Sequence, residues 1–444
     1  MSALPPGPRS PSPVQTLGWL SRHIPYLEGC RDRYGDTFTL RFTTLDPLVF
    51  VSNPTAIKAL FANDRDNTLP SGRALTLEPV LGPRSVLLLE GEEHMRRRKL
   101  MLPPFHGERM RAYEATIARV TRAEVASWPA DHRFVLRARM QAITLEVILS
   151  AVFGVADGPR HDELRSLLGD VLAQTRRPLA SAFAGITRPL GRLGPFAPIQ
   201  RMLDRTDELL VAEITERRAR DQSGALGERE DILSLLVGAR FDDGSAMDDR
   251  ELRDQLMTLL VAGHETTATA LSWAFDFLLH DPDRLDDARE AAVAGEDAYL
   301  DAVATESQRL RPVITSVGRK LSEPQRVGTY ELPAGTSMMA SIYLAHTRPD
   351  VYADPYEFRP ERFLGSRPET FSWLPFGGGV RRCIGAAFAQ LEMRVVLREV
   401  LRHVDLAPAS ADRERAKLAG ITLVPGEGTP VRIATRDHPA GLPS

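Results

Sequence analysis

A single cysteine behind three glycines is the first group in this chain that could do chemistry. Residues 376–385 read Phe-Gly-Gly-Gly-Val-Arg-Arg-Cys-Ile-Gly, and a helix-like run from Ala386 to His403 follows. Glycines permit tight turns and let a flat group approach the backbone closely. A helix start offers unpaired N–H groups and the positive end of the macrodipole. We therefore expect Cys383 to have a lowered pKa and to be a thiolate, with Arg381 adding a nearby cation.

Three interpretations of Cys383 remain open on this loop alone. A nucleophile needs a histidine base; none lies nearby in the sequence, although such a base can be remote. A zinc or iron–sulfur site needs several Cys or His ligands, and the only other cysteine is Cys30. A lone cysteine is most often an ordinary buried side chain. A single thiolate is, however, enough to ligate haem iron.

A long proline-free helix predicted over residues 249–280 carries the second candidate. Small and apolar residues recur on one of its faces at helical spacing, namely Leu259, Ala262, Gly263, Thr266 and Ala270. The Thr266 hydroxyl can bond back to the carbonyl one turn earlier, and Gly263 weakens the same turn. This face predicts either close packing against another helix or the approach of a bulky flat group.

Composition limits the function classes. The chain has 444 residues with 43% hydrophobic and 26% charged residues, as expected for a globular protein. A net charge of −3 gives no global field for nucleic acid or an anionic membrane. Two cysteines cannot build a disulfide framework and fit a reducing compartment. We expect no membrane anchor, because no apolar span of about 20 residues occurs, and a monomer in the cytoplasm.

The cysteine loop resembles the FxxGxxxCxG signature of the cytochrome P-450 family. The match consists of Phe376, Gly379, Cys383 and Gly385, and it continues through Phe388, Ala389 and Glu392 in the following helix. The resemblance implies a mainly α fold with small β-sheets, and haem between a long distal helix and the helix after the cysteine loop. It implies one domain over residues 1–444, with an extended proline-rich arm at 1–12 and a flexible tail at 437–444.

The resemblance also implies the residues that hold the cofactor, haem b. Cys383 would be the axial ligand of the iron. Cationic or hydrogen-bonding partners for the haem propionates would be His94, Arg98, Arg319 and Arg381, with His94 standing where the family often has tryptophan. On this assignment Arg381 would bind a propionate rather than lower the pKa of the Cys383 thiol. Further haem contacts would come from Ala262, Gly263, Phe376, Gly377 and Gly385.

Catalytic, structural and substrate-binding residues follow from the same resemblance. Glu265 and Thr266 match the oxygen-activating acid–threonine pair. Glu306, Arg309 and Arg362 match a structural ion network that holds the cysteine loop, although an i, i+3 pair alone would usually lie on a surface. A substrate pocket would be lined by Leu259, Val313, Val317, Thr422 and Leu423, under a lid formed by residues 176–198.

The implied activity is that of a haem-thiolate monooxygenase. It would insert one oxygen atom from O2 into a lipophilic small molecule by hydroxylation or epoxidation. Electrons would come ultimately from NAD(P)H through a ferredoxin or flavodoxin type partner. The alternatives are a haem-thiolate enzyme that uses peroxide or rearranges its substrate, and, from another class, a non-catalytic haem-binding or sensor protein. A haem-free helical scaffold is a further alternative.

Overall fold

The computed structural model describes residues 4–62, 64, 66–68, 73–107, 109–129, 132–154, 158–175, 197–223, 231–366 and 369–435. The fold is mainly α with small sheets, as the sequence predicts. The helices are α1 Ser12–Ser21, α2 His23–Tyr34, α3 Pro54–Ala62, α4 Arg73–Leu81, α5 Gly91–Met101, α6 Arg109–Ala126, α7 Leu136–Phe153, α8 Pro159–Thr175, α9 Ala197–Gln222, α10 Ile232–Gly238, α11 Asp249–Leu279, α12 Pro282–Ala294, α13 Asp297–Leu310, α14 Ile342–His346 and α15 Ala386–His403.

The strands are short. They are β1 Thr37–Leu40, β2 Leu48–Val51, β3 Phe134–Val135, β4 Ser316–Lys320, β5 Gln325–Val327, β6 Tyr330–Leu332, β7 Ser337–Ser341, β8 Asp405–Pro408, β9 Ala416–Ala419, β10 Thr422–Pro425 and β11 Pro430–Thr435. Single 3-10 turns lie at Pro103–Phe105, Pro360–Phe363 and Gly379–Arg381.

The chain divides into two compact units. The first comprises Met1–Ser71, Thr121–Met140 and Thr266–Ser444, and the second Gly72–Val120 and Gln141–Glu265. The described parts of the second unit are helical or loop. The prediction of one domain over residues 1–444 stays a prediction, and the predicted tail at 437–444 lies outside the described residues.

A four-stranded sheet in the order β1-β2-β7-β4 organises the first unit. The strands β2 and β7 pair in parallel, and the outer pairs are antiparallel. One face of the sheet packs on α2, where Leu27, Phe38 and Phe50 are fully buried. The other face packs on α3 through Ile57 and Leu60. Strand β4 is an edge strand, and it carries Arg319.

Two departures from the sequence prediction concern local breaks. The sequence has helical periodicity over residues 15–34, which predicts one helix there. The structure has two helices instead, because Arg22 leaves the helical region with φ −138° and ψ 50°. The sequence of residues 68–88 shows no regular pattern and predicts an irregular segment, but the structure has α4 over residues 73–81. Pro79 lies inside that helix, and an interior proline normally argues against one.

No helix among the described residues is both long enough and apolar enough to span a bilayer.

Candidate active site

The cysteine loop is a closed turn whose glycines are required by their neighbours. The Cys383 N–H donates to the Phe376 carbonyl oxygen at 2.9 Å, which closes the loop at its base. Gly377 and Gly379 have φ of +68° and +66°, a region that favours glycine. A Cβ on Gly378 would lie 2.6 Å from the Phe61 ring. The loop therefore adopts this shape only with glycine at these positions.

Cys383 is exposed, whereas Cys30 is buried. Burial among apolar side chains raises the pKa of Cys30 to about 11, as expected of an inert structural thiol. Cys383 lies three residues before α15, with Gly385 at the N-cap. Cysteine is among the most buried residue types, so the exposure of Cys383 is unusual for a side chain that only packs. Within the described residues, no group of three or more His, Cys, Asp or Glu side chains could hold a metal ion.

A buried ion network lies in the same unit as the loop. Glu306 and Arg309 have no exposed surface and form a two-point pair, with Nε–Oε2 at 2.6 Å and Nη2–Oε1 at 2.8 Å. The Arg362 Nε also donates to Glu306 Oε1 at 3.0 Å. Arg309 further donates to three carbonyl oxygens, those of His346, Pro355 and Glu357. The three residues predicted as a network are thus in contact.

His346 connects this network to the cysteine loop, and sequence reasoning missed it. Its Nδ1 lies 3.1 Å from the Arg309 carbonyl oxygen, and its Nε2 accepts the Leu374 N–H at 2.7 Å. The ring is therefore neutral, with its proton on Nδ1. Leu374 lies two residues before Phe376, where the loop begins. No motif marks His346, because its partners lie 28 and 37 residues away.

We expect stability to fall as pH is lowered below 6.5, partly because of His346. Burial, and then the Arg309 charge, lower the pKa of His346 to about 3, against 6.5 for an exposed histidine. Between these values the unfolded chain binds a proton that the folded chain does not. This contributes up to about 1.4 kcal/mol per pH unit to the slope. Urea unfolding from pH 7.5 to 5 should show a shallower slope for His346→Asn, and an unchanged slope for the exposed control His106→Gln. An equal slope in His346→Asn and wild type would contradict this.

Arg319 lies in a buried pair rather than on a free surface. Its Nε donates to Asp64 Oδ2 at 3.0 Å, and its Nη1 and Nη2 donate to the carbonyl oxygens of Gly318 and Gly378. Burial lowers the pKa of Arg319, and Asp64 opposes that shift. The Arg319 Nη2 also lies 3.0 Å from Asp64 Oδ2, so of the five N–H donors of the guanidinium one, on Nη1, is left over by these contacts among the described residues. Arg381 lies at the end of the loop's 3-10 turn and is half-buried.

In the second unit, His94 and Arg98 occupy successive turns of α5. His94 is 3% exposed, and Arg98 is half-buried. The other cations of this helix have acid partners in the same unit. Arg97 binds Glu251 at 2.6 Å, and Arg96 and Lys99 bind Asp243 and Asp242 at 2.6 and 2.7 Å. Their charge is thus locally compensated.

The middle of α11 is held against α7 in the second unit. Thr144 Oγ1 lies 3.0 Å from both Nδ1 and the carbonyl oxygen of His264. The Gln141 Nε2 donates to Glu265 Oε2 at 2.9 Å. A Cβ on Gly263 would lie 3.3 Å from Ile148, so this glycine also serves close helix packing. Sequence reasoning identified Glu265 but missed Gln141, because their contact spans 124 residues.

The burial of α11 is interrupted at one place. Among residues 251–279, all described, Ala262 alone is exposed, and Leu259, Gly263, Glu265 and Thr266 are half-buried. The helix is therefore less buried over residues 259–266 than in the stretches on either side. The gap coincides with the small-residue face that the sequence singled out.

Thr267, the next residue of α11, contacts α15 within the first unit. Glu392 is 2% exposed, and its carboxyl forms a hydrogen bond with Thr267. Burial raises the pKa of Glu392 to about 8, so the group is a neutral acid at pH 7. The signature residue Glu392 thereby connects the helix after the cysteine loop to the long helix.

The residues predicted to line a substrate pocket differ in exposure. Leu423 is fully buried, and its N–H donates to the Val313 carbonyl oxygen at 2.8 Å. The Trp273 Nε1 donates to the Leu423 carbonyl oxygen at 2.9 Å. Val317 and Thr422 are half-buried. The predicted lid at 176–198 lies, except for residues 197 and 198, outside the described residues.

Comparison with known proteins agrees with the cysteine-loop signature. The Cytochrome P450 family model matches residues 5–429. Proteins named cytochrome P450 135B1 from Mycobacterium bovis and Mycobacterium tuberculosis are 43% identical over 443 residues, which covers 98% of this chain and 92% of theirs. Cytochrome P450 137 from Mycobacterium tuberculosis is 37% identical over 437 residues, which covers 97% and 91%.

A solved structure shows the same fold. Retinoic acid bound cyanobacterial CYP120A1 superimposes with a TM-score of 0.77 at 24% sequence identity, covering 98% of this chain and 99% of that one. The family resemblance and the fold class predicted from the sequence are thereby confirmed. The chain belongs to the cytochrome P450 family and is a haem-dependent monooxygenase.

Proposed function

We propose that Cys383 is the axial haem ligand of an enzyme that inserts one oxygen atom from O2 into a lipophilic small molecule. The observation that carries the proposal is the exposed Cys383 on a closed glycine loop, whose backbone is hydrogen-bonded by the buried Asp64–Arg319 pair. The residues present fit haem b, since one thiolate satisfies its iron. When bound, the haem supplies O2 binding and electron storage, which no side chain of this chain provides.

The propionate groups require cations or donors, and four residues have that chemistry. Beyond its contacts with Asp64 and with the carbonyl oxygens of Gly318 and Gly378, Arg319 has one further N–H donor, on Nη1. Arg381 is half-buried at the cysteine loop, and His94 and Arg98 share one face of α5. Because guanidinium–carboxylate bonds are charge-assisted, these residues would both hold the cofactor and fix its orientation.

Thr266 and Glu265 supply protons in the proposed reaction. The Thr266 hydroxyl holds a proton and passes it on, and the half-buried Glu265 exchanges protons with solvent. Gln141 donates to Glu265 Oε2 and so restricts how far that carboxylate can turn. The apolar side chains of Leu259, Val313 and Val317, with Thr422 and Leu423, would line the substrate side and favour a lipophilic ligand.

Electron delivery is proposed to come from a ferredoxin or flavodoxin type protein, ultimately from NAD(P)H. The test is reconstitution of the holoenzyme with a ferredoxin, its reductase and NADPH, and a panel of lipophilic compounds first screened by haem spectral shift. Product containing one atom from labelled O2 supports the proposal. Product that forms only when peroxide is added, without reductase, would favour the peroxide-using alternative.

Thr266→Ala is expected to keep oxygen consumption while diverting it to hydrogen peroxide. Without the hydroxyl, proton supply is no longer controlled, and we expect product per NADPH to fall by about two orders of magnitude. The measurement compares NADPH oxidised, peroxide released and product formed. The matched control is Thr269→Ala on the same helix, fully buried one turn later. Tight coupling in Thr266→Ala would remove the proton role.

A further inference from the structure

A buried aspartate outside every recognised motif joins Arg319 to the cysteine loop. The side chain of Asp64 is 1% exposed, and it follows α3 within the first unit. Its Oδ2 accepts from Arg319 Nε at 3.0 Å, and the Arg319 Nη2 lies 3.0 Å from the same oxygen. Its Oδ1 accepts the Val380 N–H at 3.1 Å. One carboxylate thus binds a cation with one oxygen and the loop backbone with the other.

The surroundings leave Asp64 and Arg319 little freedom. A Cβ on Gly379 would lie 2.2 Å from Asp64 Oδ2, so only glycine permits this approach of the carboxylate. The guanidinium of Arg319 lies over the Phe61 ring at 5.2 Å. It also donates to the Gly378 carbonyl oxygen at 3.1 Å. The Asp64–Arg319 pair therefore binds the loop backbone at two points, the Gly378 carbonyl oxygen through Arg319 and the Val380 N–H through Asp64.

We propose that Asp64 is a positioning residue for haem binding, holding the Arg319 guanidinium and the Val380 amide in one fixed arrangement. The inference rests on the proposed propionate role of Arg319. With its Nε and Nη2 directed at Asp64, the planar guanidinium can present its remaining Nη1 donor in only one orientation. The same carboxylate anchors the loop three residues before Cys383. Asp64 thereby couples the position of the arginine to that of the iron ligand.

Replacement by asparagine separates this role from simple space filling. Asparagine has nearly the same shape, but one of its two terminal atoms is an N–H donor. The asparagine oxygen can accept a hydrogen bond from Arg319 or from Val380, but not from both in the present arrangement. The asparagine NH2 group then faces the second of these two donors, with which it cannot form a hydrogen bond. The variant also leaves a buried arginine without its counter-charge. The matched control is Asp66→Asn, which makes the same chemical change two residues away at an exposed position.

The experiment measures haem release from the purified holoproteins to excess apomyoglobin. Asp64→Asn should release haem about ten- to a hundredfold faster than wild type, the factor expected for losing one charge-assisted hydrogen bond. Asp66→Asn should stay within about twofold. Loss of a buried negative charge should also raise the haem reduction potential in Asp64→Asn. A role confined to folding would not move that potential.

A double variant tests whether Asp64 acts through Arg319. In an Arg319→Met background, Asp64→Asn should accelerate haem release much less than it does in wild type. Equal acceleration in both backgrounds would overturn the proposal. So would unchanged haem release and potential in Asp64→Asn. The carbon monoxide band of the wild-type protein tests the role of Cys383 separately. If that band is the thiolate one while Asp64→Asn has no effect, the Asp64 proposal fails and the Cys383 assignment stands.

Discussion

Replacing Cys383 with serine is expected to abolish the absorption band that thiolate-ligated ferrous haem gives with carbon monoxide. The change exchanges one sulfur for oxygen, and the hydroxyl is neither ionised at neutral pH nor a soft ligand. The backbone bond from residue 383 to the Phe376 carbonyl oxygen does not depend on the side chain. The loop should therefore keep its shape while the ligand is lost.

The matched control for this variant is Cys30→Ser. Cys30 lies in the apolar cluster with Leu27 and Phe38, so a hydroxyl there should cost about 1–3 kcal/mol of stability. It should leave the carbon monoxide band unchanged. Difference spectra of the dithionite-reduced proteins, with haem content measured by pyridine haemochrome, make the comparison. A thiolate band that survives Cys383→Ser would refute the ligand assignment.

Local patterns in the sequence were sufficient to predict the two helices that carry most of the candidate site. The helix after the cysteine was predicted over Ala386–His403, which are the bounds observed for α15. The long helix was predicted over residues 249–280, and α11 spans 249–279. Both have strong helical periodicity and no internal proline, so neighbouring residues determine their structure.

The supporting contacts of the candidate site could not be predicted in this way. Asp64 meets Arg319 across 255 residues, and Gln141 meets Glu265 across 124. Neither Asp64 nor Gln141 belongs to a local pattern, because a hydrogen bond constrains chemistry and distance but not sequence spacing. Tertiary packing likewise accounts for Gly378, whose missing side chain is explained by the Phe61 ring. The motif identified the glycines, whereas the reason for this one is visible only in three dimensions.

Arg309→Met should strongly destabilise the protein. Arg309 is fully buried with Glu306, and breaking a buried pair by removing one partner costs about 3–5 kcal/mol. The variant also removes the donors to the carbonyl oxygens of His346, Pro355 and Glu357. Since whole proteins have only about 5–15 kcal/mol of stability, we expect little haem-loaded Arg309→Met to accumulate.

Two arginines in the same network provide graded comparisons that remain measurable if Arg309→Met does not fold. The Arg362 side chain is 14% exposed and shares Glu306, so Arg362→Met should cost about 1–3 kcal/mol. The Arg359 side chain is 43% exposed and pairs with the exposed Asp354, so Arg359→Met should cost at most about 1 kcal/mol. Urea unfolding followed by far-UV circular dichroism gives the free energies of unfolding. The haem content of each purified variant shows whether its cysteine loop still binds haem. If Arg362→Met and Arg359→Met were equally stable and retained haem equally, the network would not hold the cysteine loop, because of these two arginines only Arg362 reaches the buried Glu306 with its side chain.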